Sequence, residues 1–221
     1  NFKKLDKMYV SESALEKTAQ SIGKKIEEIP YEIVADNVFR QISDTVTPQG
    51  VLAVVNMPEY DIKDILSYDR KSWILLDDLR DPGNLGTIVR TSEGAGMSGV
   101  IMSRESVDLF NPKVVRSTMG AIFRVPFCYV QSLTDIIDEI KGAGYEVFAT
   151  AMEGSEVYDC IDYTNGAAFI IGNEANGVSD EVFEKASKRI RIPMDGKLES
   201  LNAAVSAAII MYEIARQKRG K

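Results

Sequence analysis

The chain has 221 residues, 45% of them hydrophobic and 27% charged, with 16 glycines and 7 prolines, the profile of a globular protein long enough to bury one or two cores. It holds no histidine, which removes Ser-His-Asp and Cys-His nucleophilic centres and histidine-built zinc sites. A net charge of −7 counts against a nucleic-acid partner gripped by overall charge, and leaves local patches of Lys and Arg as the only route to one.

Along the first 56 residues two kinds of segment alternate: strand MYV, helical ESALEKTAQSIGKKI, strand YEIVA, helical DNVFRQISD, then the apolar run VLAVV at 51–55. This predicts a small α/β domain over 1–56. Residues 57–71 are polar, contain a Pro and have no steady period, so they read as a linker. From 72 to 221 the alternation is regular: strand WILLDDL, a helix opening near Leu85 (LGTIVRTSEGAG), strand VIMS, helix PKVVRSTMGAI, strand FCYV, helix LTDIIDEIKGAG, strands YEVFATA and AAFIIG, helix DEVFEKASK, strand IRIPM, helix LNAAVSAAIIMYEIARQK. Such βαβ alternation predicts an α/β domain built on a mostly parallel sheet with helices on both faces. The punctuation agrees: Asn111 precedes Pro112 at a helix start, Ser132 precedes Asp135 in capping-box spacing, and Gly142 to Gly144 stop a helix.

No stretch approaches the roughly 18 apolar residues of a membrane span, and NFKKLDKMYV lacks the apolar centre of a signal peptide, so a cytoplasmic protein without a membrane partner is expected. The chain opens on Asn1 without an initiator Met, as a fragment of something longer would. Cys128 and Cys160 lack C-x-x-C spacing and read as two buried or half-buried thiols, with neither a disulfide framework nor a thiolate metal site.

Two nucleotide-binding patterns fail on context. Gly94, Gly96 and Gly99 match G-x-G-x-x-G, but they close a helix and precede a strand, the reverse of a dinucleotide fold, so their expected job is a C-cap and turn. GNEANGVS at 172–179 has phosphate-loop glycine spacing with Val178 where the lysine would stand.

Three loops directly follow apolar strands, where open α/β sheets bind ligands: DPGNLGTIVR (81–90), IIGNEANGVSDEV (170–182) and IPMDGKLESLNAAVSAA (192–208). Each alone has a plain structural explanation, Asn84 and Ser200 as helix caps, Gly172 and Gly177 as turn glycines, Glu174 as a solvated acid, Arg90 as a surface arginine paired with Glu93 or Asp81. Taken together, Asn-x5-Arg, then Gly-Asn-Glu-x2-Gly, then Ile-Pro-Met with Ser-Leu-Asn eight residues after the Ile resemble the three motifs of the SpoU (TrmH-like) ribose methyltransferases of the SPOUT superfamily. NPKVVRSTMGAIFRVPF between them is similar to the same family, and residues 1–56 resemble its small RNA substrate-binding domain.

The resemblance implies methyl transfer from S-adenosyl-L-methionine to a ribose 2′-hydroxyl in structured RNA, rRNA ahead of tRNA, by a homodimer whose C-terminal helix is threaded into a deep trefoil knot. An RNA-binding protein that keeps the fold without the activity is the alternative. Arg90 would be the central catalytic residue, with Asn84, Glu174, Ser200 and Asn202 around it. A guanidinium holds its proton tightly, which favours electrostatic stabilisation by an arginine at position 90 over general-base action. Gly172 and Ala203 would let backbone approach the cofactor, Ile171, Ile192, Met194 and Leu201 would wall it, and Thr150 and Ala151 would complete the pocket. A sulfonium carries its own leaving group, so no metal is expected. For RNA, the candidates are Lys113, Arg116, Arg124 and Lys188, with Lys185, Arg189 and Arg191 beside them.

Overall fold

In a strand, successive side chains point to opposite faces, and the apolar runs of this chain use both faces. The computed structural model describes residues 5–23, 29–69, 71–151 and 155–220. It divides into two units, Asn1–Pro58 and Glu59–Lys221.

In the first unit, β1 (Leu5–Ser11) lies between β2 (Tyr31–Val34), parallel to it, and β3 (Val51–Val55), antiparallel. Helices α1 (Leu15–Ile22) and α2 (Asp36–Ile42) join them. Met8, Val10 and Ile29 form the core, packed by Leu15 and Ile22. The helix expected to run on through Ile26 stops at Ile22, where Gly23 takes φ +63°; residues 24–28 lie outside the described residues. Gly50 (φ +80°) is required where it stands, because a Cβ there would lie 2.3 Å from that of Ala14.

The second unit starts with α3 (Ile62–Ser67), inside the stretch that reads as linker. Ile62, Ile65 and Leu66 carry the i, i+3, i+4 spacing of a short apolar face; Ile65 is fully buried, and its carbonyl accepts the Trp73 indole N–H at 3.0 Å. That part of 57–71 is therefore a packed helix, a correction to the linker reading.

Then follow β4 (Ser72–Leu76), α4 (Pro82–Ala95), β5 (Gly99–Ser103), α5 (Pro112–Ser117), β6 (Phe127–Val130), α6 (Leu133–Gly142), β7 (Glu146–Thr150), β8 (Glu156–Val157), β9 (Ala167–Ile171), α7 (Asp180–Lys185), β10 (Lys188–Arg191) and α8 (Ala203–Arg219). Among the described residues seven strands of this unit form one sheet in the order β6-β5-β4-β9-β7-β10-β8, with every pairing parallel. The two-residue β8 is an addition to the elements expected. Ile74, Leu76, Val100, Met102, Phe148 and Phe169 face α4, α5 and α8; Trp73, Leu75, Ile101, Val147, Ala149 and Ile170 face α3, α6 and α7. Each of the larger of these side chains contributes about 1.5–3 kcal/mol on burial, which explains why these strands are apolar throughout rather than alternating.

Helix boundaries differ from expectation where polar residues act as caps. α4 opens at Pro82, three residues before Leu85, because Asp81 accepts the Asn84 N–H at 2.8 Å and Pro82 sits at the first helical position. Asp81, not Asn84, is the cap. At its end Gly96, φ +71°, terminates α4 as the glycine pattern implies. α5 stops at Ser117, since Met119 and Gly120 both take positive φ. Asn111 and Ser132 cap α5 and α6 as expected.

Candidate functional site

The carboxyl ends of β7, β9 and β10 open onto a cavity of about 610 Å³, within the usual size range of small-molecule sites. Its walls come from Thr150 and Ala151 at the end of β7, Ile171 and Gly172 at the end of β9, Ile192, Met194, Ser200, Leu201 and Asn202 between β10 and α8, and Ala203 at the start of α8. Every residue expected to hold the cofactor therefore lines one space. Asn173, Asn176, Gly177, Arg191, Glu199 and Ser206 line it too and were not singled out for it; their positions beside Gly172, Ile192 and Ala203 were the available signal.

Gly172 permits this geometry. A Cβ at 172 would lie 2.1 Å from the carbonyl carbon of Gly177 and 2.2 Å from the nitrogen of Val178, so only glycine lets the loop fold back against its own start. The loop is closed by reciprocal Asn173–Gly177 backbone hydrogen bonds of 2.9 Å, and Asn173 Oδ1 accepts the Ala175 and Asn176 N–H groups at 2.9 and 3.1 Å.

The three motifs meet in a chain of hydrogen bonds. Glu174 accepts from the backbone N–H of Arg80 (3.1 Å) and Asp81 (3.0 Å) and from Asn84 Nδ2 (2.9 Å). Asn84, only 7% exposed, accepts through Oδ1 from Asn202 Nδ2 at 2.9 Å. Asn202 Oδ1 in turn accepts from Ala204 N (2.9 Å) and Val205 N (3.3 Å), capping α8. Asn202 thus takes the cap position that the sequence offered to Ser200. Partial burial raises the pKa of Glu174, but the bonds from Asn84, Asp81 and Arg80 outweigh it, and the carboxyl is held below its ordinary value. Glu174 is an ionised hydrogen-bond hub rather than a proton donor.

Arg90 is placed differently. It lies on the exposed side of α4, six residues beyond Asn84, or about 9 Å along the axis and on another face, and does not line the cavity. The two acids that could have neutralised it are engaged elsewhere: Asp81 caps α4, and Glu93 takes both Arg124 Nε (2.5 Å) and Nη2 (3.2 Å).

Several basic candidates for RNA are likewise paired with acids. Arg124 is held by Glu93, Lys188 by Glu146 at 3.1 Å, Lys185 by Asp138 at 2.5 Å and Arg189 by Glu184 at 3.5 Å. Lys113 and Arg116 are exposed on α5, and Arg191 stands at the cavity. Cys128 is half-buried and Cys160 exposed, so the expectation of two sheltered thiols holds for the first alone; both are free. Among the described residues no group of three or more His, Cys, Asp or Glu could hold a metal ion, and no helix is long and apolar enough to cross a membrane.

A parallel sheet with a glycine-cradled cavity at its carboxyl edge, lined by asparagine amides and the carboxylates of Glu174 and Glu199, has its opening where α/β proteins of the open-sheet class bind ligands. Residues 71–212 match the SpoU rRNA Methylase family, and residues 1–61 match the RNA 2′-O ribose methyltransferase substrate binding family. The chain belongs to the SpoU rRNA methylase family. It is 37% identical over 182 residues to the 23S rRNA (guanosine(2553)-2′-O)-methyltransferase RlmP of Bacillus subtilis, covering 82% of this chain and 71% of that protein. Among solved structures it is similar to the AdoMet-bound rRNA methyltransferase of Sinorhizobium meliloti (TM-score 0.81, 31% identity, 96% of this chain and 80% of that one). The SpoU methyltransferase AviRb of Streptomyces viridochromogenes in complex with the cofactor AdoMet is similar too (TM-score 0.84, 28% identity, 97% and 83%).

Proposed function

We infer that the protein transfers a methyl group from S-adenosyl-L-methionine to a ribose 2′-hydroxyl of ribosomal RNA. The observation that carries this reading is the convergence of the three motifs on one cavity through the Glu174–Asn84–Asn202 chain. The cavity fits the cofactor: its volume suffices, the Gly172 cradle exposes backbone groups to an adenine edge, and Ile171, Ile192, Met194 and Leu201 offer apolar walls. When bound, the cofactor supplies an activated methyl group on a sulfonium, which needs no metal.

The chain's own residues then have orienting work. Gly172, Thr150, Ala151 and Ala203 shape the pocket; Ser200 and Asn202 offer hydroxyl and amide groups at its edge; Asn84 and Glu174 fix Asn202 and the α4 terminus in one geometry. We assign Arg90 the electrostatic role, holding RNA phosphate and stabilising the developing alkoxide, a role suited to a guanidinium that stays charged. Its location outside the cavity of its own chain supports a homodimer in which the partner helps to complete the site. Val205 and Tyr212, exposed on the same face of α8 seven residues apart, support an interface there. The deep trefoil knot at the C-terminal end, the division into a substrate-binding unit and a catalytic unit, RNA contact through Lys113 and Arg116, and a cytoplasmic location belong to the same reading.

The test is transfer of labelled methyl from S-adenosylmethionine to total RNA from cells lacking the protein. Label in alkali-resistant dinucleotides of rRNA is expected, because a 2′-O-methyl blocks cleavage of the adjoining phosphodiester. Label confined to bases, or none with cofactor bound, would overturn the proposal in favour of base methylation or of a binding protein without activity.

A further inference from the structure

Asp77, the residue directly after β4, belongs to none of the motif residues above, yet its side chain reaches the motif that follows β9. It is 8% exposed, and one of its oxygens, Oδ2, accepts both the backbone N–H and the hydroxyl of Ser179 at 2.7 Å each. Ser179 occupies the N-cap position of α7, with φ −63° and ψ 149°, where serine ordinarily turns its oxygen to its own helix. Here no side-chain cap bond forms, and the hydroxyl is given to Asp77 instead. A serine that gives up its local partner for one 102 residues away in sequence marks a tertiary clasp.

We propose that Asp77 is a positioning residue for cofactor binding: with Ser179 it clasps the exit of the 172–179 loop, whose Gly172–Gly177 stretch lines the cavity. The proposal rests on the functional reading above. The loop is internally closed by its Asn173–Gly177 bonds, so it moves as one piece, and what decides the cavity's shape is how that piece is fastened. Its entrance is fastened to the same β4–α4 corner, with Asn173 Nδ2 donating to the Asp78 carbonyl at 2.9 Å and Glu174 accepting from Arg80, Asp81 and Asn84. Asp77 N–H itself donates to Ile171 O at 2.9 Å, so one residue grips the strand before the loop and the residue after it. Without the clasp the loop keeps its own turn but pivots on its entrance, widening the cavity on the Gly177 side. Fixing a binding wall in advance lowers the ordering cost of the ligand, so the effect falls on affinity.

Three variants test this on the full chain, with S-adenosylhomocysteine titrated calorimetrically and backbone amide exchange of residues 172–179 followed without ligand. Asp77→Ala is expected to weaken binding about tenfold or more and to speed exchange at Ser179. Ser179→Ala, which keeps the backbone donor, is expected to weaken binding a few-fold with unchanged melting temperature, and it serves as the probe if Asp77→Ala does not fold. Asp77→Asn retains an acceptor oxygen and is expected to restore binding to within about threefold of the unaltered protein. With the methyl-transfer assay, KM for cofactor rises while kcat at saturation stays. Unchanged affinity in both alanine variants beside normal binding by the unaltered protein overturns the clasp and leaves the functional reading standing. An asparagine variant as weak as the alanine one also overturns it, since charge rather than acceptor geometry would then matter. No binding by the unaltered protein overturns the functional reading and the clasp's purpose together.

Discussion

Replacing Gly172 with alanine tests the shape of the cavity at its tightest point. The new methyl would stand 2.1 Å from the Gly177 carbonyl carbon and 2.2 Å from Gly177 O and Val178 N, all backbone atoms that cannot swing aside. Reaching ordinary contact at 3.4 Å requires the loop to open by about 1.3 Å. The paired Asn173–Gly177 bonds, 2.9 Å now, would stretch past 4 Å and break. Two lost hydrogen bonds at about 1 kcal/mol each, with overpacking of about 1–3 kcal/mol, give a cost of about 3–5 kcal/mol. If the free loop relaxes open and the ligand requires the closed form, S-adenosylhomocysteine affinity falls about 100-fold or more, at about 1.4 kcal/mol per factor of ten. Calorimetry measures the affinity, and a thermal melt shows how much of the cost appears as lost stability instead. Affinity within threefold of the unaltered protein together with an unchanged melting temperature would refute the reasoning, because the strain would then have gone nowhere.

The pH response of Glu174 follows from its hydrogen bonds. A carboxyl whose folded pKa is depressed contributes stability above its unfolded pKa and loses it as pH falls through the folded one, so cofactor binding should hold through the ordinary carboxylate range and fail only below it. Asn84→Ala removes the 2.9 Å donor and should move that failure upward towards the ordinary value, as read by binding titrations or the carboxyl carbon resonance. Thiol reagents should separate the two cysteines: exposed Cys160 is modified at neutral pH, whereas Cys128, whose pKa desolvation and then Asp61 push up to about 12, stays protonated and unreactive in the folded protein, which peptide mass mapping checks.

The strands β4, β5 and β9 were legible in the sequence because they are buried on both faces, so that the runs WILL, GVIM and AAFII announce themselves, unlike β10, whose KRIR is largely polar. Helix ends were less so. Asp81-Pro82-Gly83 looks like a loop when read as composition and like a helix start only when Asp81 is read as a cap. α3 hid because six residues give a period too little length to show. The membership of the cavity could be read from motif resemblance, since its lining follows directly from the strands that precede it. The couplings could not: Glu174 to Asn84, Asn84 to Asn202 and Ser179 to Asp77 join residues 90, 118 and 102 positions apart, and the order β4-β9-β7-β10 brings them together. Charge was misleading for a similar reason. Arg124 and Lys188 count as cations in sequence, and their acids, Glu93 and Glu146, become partners only in the folded chain.

The central claim is that this cavity delivers methyl groups to ribose oxygens of RNA with Arg90 supplying charge. Its most direct measurement is labelled methyl transfer to rRNA at saturating S-adenosylmethionine by the unaltered protein, Arg90→Lys and Arg90→Ala, with S-adenosylhomocysteine affinity measured in parallel. The account predicts alkali-resistant label from the unaltered protein, residual transfer with lysine, a loss of about a hundredfold or more with alanine, and unchanged cofactor affinity in all three, since Arg90 lies outside the cavity. Full transfer by Arg90→Ala would contradict it.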